Sequence, residues 1–301
     1  MALDFNGRVA IVTGAGGGLG RAHALALAAR GARVVVNDLG GAVDGSGSSA
    51  TAAERVVEEI RAAGGEAIAN AASVTDFAAV QGMVQQAIAT WGRVDVLVSN
   101  AGILRDKTFA KMDLADFRQV LEVHLMGAVH CCKALWPIMN AQKYGRIVLT
   151  TSSSGLYGNF GQTNYGAAKL ALVGLMQTLA QEGAKNDIRV NCLAPTAVTR
   201  MTESLLPPDM LQAFGPEAVV PAMLVLASDE APTRTTLCAG GGSFEAANIT
   251  LTHGAFIGAG ADAPEQWLAR LDAVRDRRGE MVPANGSEQG TNELRLLREG
   301  R

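Results

Sequence analysis

Val9-Ala10-Ile11-Val12-Thr13-Gly14-Ala15-Gly16-Gly17-Gly18-Leu19-Gly20 decides the fold of this 301-residue chain. The apolar run Val9 to Val12 reads as a buried strand. Arg21 to Arg30, rich in Ala and Leu and closed by Gly31, reads as a helix with a glycine stop. Strand, glycine turn and helix are the context of a dinucleotide site. Glycines let the backbone approach a pyrophosphate, and the helix N-terminus offers unpaired N–H groups to it. The spacing is G-x-x-x-G-x-G, at Gly14, Gly18 and Gly20, with Leu19 inside the turn. A glycine turn with no ligand is the alternative.

A second strand, Arg33 to Val36, leads to Asn37-Asp38. Asp38 lies 18 residues after Gly20, near the ~20 expected of a carboxylate that holds ribose hydroxyls. Such a carboxylate repels the 2′-phosphate of NADP, and positions 37 to 41 hold no Lys or Arg to bind one. The cofactor expected is NAD; a solvated loop aspartate is the alternative.

Strand and helix patterns then alternate. Helices are expected over 51–63, 76–90 (capped by Thr75), 113–140 and 164–184, and strands over 66–70, 94–98, 146–150 and 188–192. The alternation implies an α/β fold, a single doubly wound parallel sheet of Rossmann type with about seven strands and helices on both faces. Ligands of such sheets bind beyond the carboxyl ends of the strands. This domain is expected over 1–280. Gly40 to Ser49 is a long loop; Thr199 to Gly215 is a candidate substrate lid or a surface helix; Cys238 to Gly242 is expected as a loop before a strand containing Ile249. The polar tail 281–301 is expected to be partly disordered or to lie on a neighbouring subunit.

Composition narrows the function classes. Apolar residues make up 48% and charged residues 18% of the chain, and the net charge is −3 with no basic cluster. Nucleic acid is therefore not an expected partner. No apolar run reaches the ~18 residues of a membrane span, and Met1 to Phe5 has no signal-peptide pattern. Cys131, Cys132, Cys192 and Cys238 lack metal-ligand spacing, and the four histidines are not grouped, so no metal is expected. Unpaired thiols suggest a reducing, cytoplasmic setting.

Tyr165-Gly166-Ala167-Ala168-Lys169 places a phenol and an ammonium one helical turn apart on one face. A fixed positive charge favours phenolate, so the pair could take a proton from an alcohol at neutral pH.

With these motifs in order, the chain resembles the short-chain dehydrogenase/reductase family over about residues 5 to 260. Asn100-Ala101-Gly102 resembles the family's Asn-Ala-Gly signature. Ser152, 13 residues before Tyr165, falls where the family keeps a catalytic serine, and Ala194-Pro195 resembles the turn beside the nicotinamide. Val36 to Gly41, Ala101 to Asp106, Lys143 to Ile147 and Tyr157 to Gln162 are similar to a subgroup, the (3R)-hydroxyacyl-CoA dehydrogenase domain of type 2 peroxisomal multifunctional enzymes and its single-domain bacterial relatives.

The resemblance implies an NAD-dependent dehydrogenase that oxidises a secondary alcohol, a (3R)-3-hydroxyacyl-CoA thioester in β-oxidation, and works alone. Tyr165 is the implied base, Ser152 the hydrogen-bond donor to the substrate oxygen, and Lys169 the group that lowers the pKa of Tyr165. Tyr165 and Lys169 also reach the nicotinamide ribose. Ser73 and Val74 border the adenine, Asn100, Ala101, Gly102 and Pro195 the cofactor, and Thr199 its carboxamide. His124 stands where most of the family has an Asn in the proton path, a substitution the subgroup shares. It is either part of an altered relay or a core or interface histidine. A homodimer or homotetramer is implied, with Leu121, Leu125, Val129, Leu170, Val173 and Met176 suited either to its core or to burial against the sheet. Alternative readings are a hydroxysteroid or other bulky-alcohol dehydrogenase, and an NAD-binding regulator without catalysis.

Overall fold

The computed structural model of the chain describes residues 3–47, 49, 51–198 and 213–300. Eight strands among these residues form one sheet: β1 (Val9–Thr13), β2 (Arg33–Asn37), β3 (Glu66–Asn70), β4 (Val96–Ser99), β5 (Gly145–Thr150), β6 (Ile188–Pro195), β7 (Thr236–Gly240) and β8 (Ser243–Ala247). The order is β3-β2-β1-β4-β5-β6-β7-β8. Every pair is parallel except β7–β8. The order reverses between β1 and β4, where a crevice opens above the strand ends.

The helices that matter here are α1 (Gly18–Ala28), α2 (Thr51–Ala62), α3 (Phe77–Trp91), α4 (Leu114–Leu121), α5 (Gly127–Gln142), α6 (Ser153–Tyr157), α7 (Thr163–Gly183) and α8 (Val220–Ala227). They cover both faces. Val12, Val34, Val36 and Val98 pack with Leu27, Val56, Ile60 and Met223 of α1, α2 and α8. Ile11, Val35, Leu97 and Ile147 pack with Met83, Leu135 and Leu172 of α3, α5 and α7. Alternate residues of one strand thus feed opposite cores, which is why the strands are apolar throughout. Val173 and Met176 belong to the second core, while Leu170 is exposed.

Several expectations change in detail. Asp76, not Thr75, caps α3: its carboxylate accepts from the N–H groups of Ala78 and Ala79, adding charge at the positive end of the helix. The single helix expected over 113–140 is interrupted by a π-helical segment, Glu122–Met126. The stretch expected as a loop before a strand at Ile249 is instead the β7–β8 hairpin. Gly241 and Gly242, at φ +58 and +80, form its two-residue turn, the geometry that needs positive φ at both positions.

The chain divides into two compact units, Met1–Ala247 and Asn248–Arg301. The expected limit at 280 falls inside the second. That unit contains helices Ala263–Ala269, Leu271–Val274 and Ser287–Glu299, the last within the tail expected to be partly disordered, and a bridge between Leu251 and Met281.

The amino ends of the strands are closed by buried charge. Arg146, 1% exposed, donates to the carbonyls of Gly145, Asp187, Ser228 and Asp229 and to the Asp187 carboxylate, at 2.7 to 3.2 Å. The Tyr144 ring lies between the Arg146 and Arg8 guanidiniums, and its hydroxyl donates to Asp229 at 2.6 Å. Arg146 binds β5 to the segments before β6 and after α8. Arg146→Met leaves these carbonyls without their donors. It should cost about 3–5 kcal/mol in urea unfolding, the range for breaking a buried charged network. A loss below about 1 kcal/mol would show the network to be dispensable.

Candidate active site

The crevice at the β1/β4 reversal holds a cleft of about 890 Å³, within the range of small-molecule sites. Its floor is the glycine turn. Gly14 adopts φ +64, and an added Cβ would stand 2.8 Å from the Ala101 Cα. At Gly20 a Cβ would meet the Gly14 carbonyl at 2.1 Å. Neither position admits a side chain. Gly17 caps α1 without a side-chain acceptor, so the first amides of the helix are left to the cleft that Gly17, Gly18 and Leu19 line. These uncapped amides and the close backbone fit the pyrophosphate of a dinucleotide.

Asn100 locks this floor. Its amide donates to the carbonyls of Thr13 and Gly14 at 3.1 Å each. Thr13, the first residue of the glycine motif, returns the tie: its hydroxyl accepts from the N–H groups of Asn100 and Ala101 at 3.0 and 3.1 Å. At the end of β2 the Asp38 carboxylate accepts from Gly16 N–H at 2.7 Å and Gly40 N–H at 2.6 Å. Ser73 and Val74 line the same cleft from the end of β3, and Pro195 from the end of β6. Thr199 and the lid candidates Leu205, Leu206, Met210 and Leu211 lie outside the described residues.

Ser152, Tyr165 and Lys169 meet on the other wall. Ser152 ends the segment after β5 and caps α6, accepting from Ser154 N–H at 3.2 Å. Of the three serines 152–154 it is the one whose side chain acts on the Tyr165 phenol, favouring the ionised form. Lys169 is buried one turn along α7, its Nζ 5.4 Å from the centre of the Tyr165 ring and donating to the Thr150 carbonyl at 2.6 Å. The start of α7 is fixed by Asn164, overlooked in the sequence. Fully buried, it donates to the Arg105 carbonyl and accepts from Tyr165 N–H. Only its place beside Tyr165 could have flagged it.

His124 sits in the π-helical segment, a feature frequent at functional sites. Its Nε2 meets both Ile103 N–H at 3.1 Å and the Ile103 carbonyl at 2.8 Å. Its ring presents an edge to Tyr165, centroids 5.1 Å apart, and lies so close to Gly102 that a Cβ there would meet Cε1 at 2.3 Å. Burial, helped by the Lys169 charge, holds its pKa well below 6.5, so the ring is neutral near pH 7. It is a buried histidine inside the site, in contact with the tyrosine.

The short chain dehydrogenase family pattern matches residues 8–209. The chain belongs to this family. A putative short-chain type dehydrogenase/reductase of Mycobacterium tuberculosis is 53% identical over 79% of this chain and 84% of its own length. Mouse peroxisomal multifunctional enzyme type 2 is 48% identical over 93% of this chain, which spans 36% of that protein. A 7α-hydroxysteroid dehydrogenase, solved with NADH and 7-oxo glycochenodeoxycholic acid, superposes with a TM-score of 0.72 at 33% identity, covering 80% of this chain and 95% of that one. This short-chain dehydrogenase is an oxidoreductase. No helix among its described residues is long and apolar enough to cross a membrane.

Burial shifts both members of the pair. It raises the Tyr165 phenol above its ordinary 10; the Ser152 side chain opposes this and the Asp106 carboxylate adds to it. Desolvation pushes Lys169 down to about 7, and its Nζ is directed at the Thr150 carbonyl. Between pH 7 and 8 the unfolded chain carries a proton on this lysine that the folded chain is losing, so stability rises with pH across that window. Above about pH 8 the buried Cys131, Cys132 and Cys192 thiols, held protonated by burial while those of the unfolded chain ionise, oppose the trend. Thermal melts should show Tm rising from pH 7 to 8. Lys169→Met should flatten that rise, and an unchanged slope in the variant would place the titration elsewhere.

Proposed function

We propose that this short-chain dehydrogenase oxidises a (3R)-3-hydroxyacyl-CoA thioester with NAD. The observation that carries the reading is the convergence of Ser152, Tyr165 and Lys169 on one wall of a cleft whose floor is the glycine turn. The nicotinamide, when bound, supplies the hydride acceptor or donor, and its oxidised form adds positive charge to the site. Tyr165 takes the proton of the alcohol. Its pKa, raised by burial, falls in response to added positive charge. Ser152 donates to the substrate oxygen as negative charge develops on it. Lys169, near neutrality at about 7, can hold or release a proton behind Tyr165.

The thioester is supported by the likeness to multifunctional enzyme type 2. The likeness to a hydroxysteroid dehydrogenase favours a second reading, a bulky free alcohol. Asp38 supports NAD over NADP, its carboxylate fixed by two backbone amides at the end of β2. A homodimer or homotetramer in a reducing, cytoplasmic compartment is consistent with four free thiols and with exposed apolar side chains such as Leu170.

NADH formation on a panel of (3R)- and (3S)-hydroxyacyl-CoA thioesters and free hydroxysteroids tests the substrate. Turnover is expected on the (3R)-thioesters and should be lost in Tyr165→Phe, with NADH binding kept. Turnover only on steroids would overturn the thioester; full turnover in the phenylalanine variant would overturn the base. Asp38→Ala should cut the preference for NADH over NADPH by about tenfold, the effect of ~1.4 kcal/mol of lost discrimination. An unchanged ratio would assign the choice to another residue.

A further inference from the structure

The loop that follows Asp38 crosses the cleft. Its root is fixed by the two amides on the Asp38 carboxylate. Its tip is set by Asp44, whose carboxylate accepts from Ser46 N–H at 2.9 Å and the Ser46 hydroxyl at 2.7 Å. Between root and tip the chain docks on the far wall. The Val43 carbonyl accepts from Leu104 N–H at 3.0 Å, and the Asp44 carbonyl from Arg105 Nε at 2.9 Å. Gly45 sits so near Ile103 that a Cβ would meet its Cγ2 at 3.1 Å. Leu39, Ala42 and Val43 face the cleft from this crossing, opposite residues of α4.

Arg105 divides its guanidinium between the two sides. Nε holds the loop, and Nη1 pairs with Asp116 of α4 at 2.6 Å. Its own carbonyl accepts from Asn164 at the start of the helix that carries Tyr165. The side chain thus reaches the loop while the backbone belongs to the catalytic wall.

We infer that residues 39–47 form a strap across the adenosine half of the cofactor site, and that Arg105 pins it shut, so cofactor exchange waits on the strap opening. The inference rests on the reading of the cleft as a nicotinamide dinucleotide site. Opening breaks the two bonds to Leu104 and Arg105 and the Gly45 contact. Both hydrophobic cores and the sheet stay intact, so the strap can open as a local unit. Motions of this kind often set the rate of product release.

Arg105→Gln removes the pin without stranding a charge, because Lys107 also pairs with Asp116, at 3.1 Å. NADH release, followed by stopped-flow fluorescence, should quicken about tenfold, the effect of one hydrogen bond from a charged donor. A second variant acts in the opposite direction. Val43→Cys with Leu104→Cys, in a Cys238→Ser background, would tie the strap to the far wall under oxidation. NADH should then bind and leave more slowly, and a reductant should restore both rates. A merely structural role would not give opposite, reductant-reversible changes. An unchanged off-rate in Arg105→Gln, or equal exchange in the oxidised and reduced tether, would overturn the strap. Titration of the parent protein comes first: failure to bind NADH would sink the cofactor reading itself, and the strap with it.

Discussion

The structure depends on a close approach between the turn after β1 and the loop after β4. Asn100 makes the approach polar on one side, with its amide across the carbonyls of Thr13 and Gly14. Gly14 and Gly20 make it possible on the other, since a single added carbon at either would collide with backbone. This join lies at the point where neighbouring parallel strands send their chains to opposite faces and a crevice opens. The join sets the level of the α1 amides. The chain it anchors runs on to Gly102, whose missing Cβ leaves the room the His124 ring fills. One contact therefore fixes the glycine turn on one side and the wall behind Tyr165 on the other.

Much of this was legible in the sequence because it is encoded locally. The apolar runs, the glycine spacing and the Tyr165–Lys169 interval each depend on backbone period alone, and each falls where it was expected. What was not legible depends on partners far along the chain. Thr13 reads only as the start of the glycine turn until Asn100, 87 residues away, is beside it. Asn164 is one polar residue among several until Arg105 offers its carbonyl. The π-helical segment leaves no mark on the pattern of 113–140, which scans as one helix. The β7–β8 turn is a different case. Gly241-Gly242 carried the two-residue hairpin signal, but the surrounding glycines made the stretch read as loop. The pKa values of Tyr165 and Lys169 are not legible for a related reason. Spacing shows that Lys169 is near Tyr165, but the depth of burial that decides both pKa values is a tertiary property.

The two ends of the sheet treat buried polarity in opposite ways. At the amino ends Arg146 has a full set of acceptors, and Asp95, fully buried, accepts from Val9 N–H and from Arg93. Charge there is compensated and the region is a clamp. At the carboxyl ends compensation is partial. The Lys169 ammonium has a single carbonyl, and the buried Thr150 hydroxyl and His124 Nδ1 have no hydrogen-bond partner. Both residues line the cleft. His23 of α1 is the one other buried side chain of this kind among the described residues.

An unsatisfied polar atom costs stability wherever it is buried, so its position is informative. A folding sequence under no other constraint would gain by replacing Thr150 with valine and Lys169 with methionine, each apolar and of similar shape. Keeping an ammonium in a site that drives its pKa to about 7 means that the folded protein holds a group poised to exchange a proton near neutrality. Apart from His23, the cost falls at one cleft, beside a tyrosine whose own proton is held more tightly than in water. The clamp at the far end of the sheet lets the fold carry that cost. Stability is concentrated where no ligand atom can reach, and polar groups are left incomplete where one can.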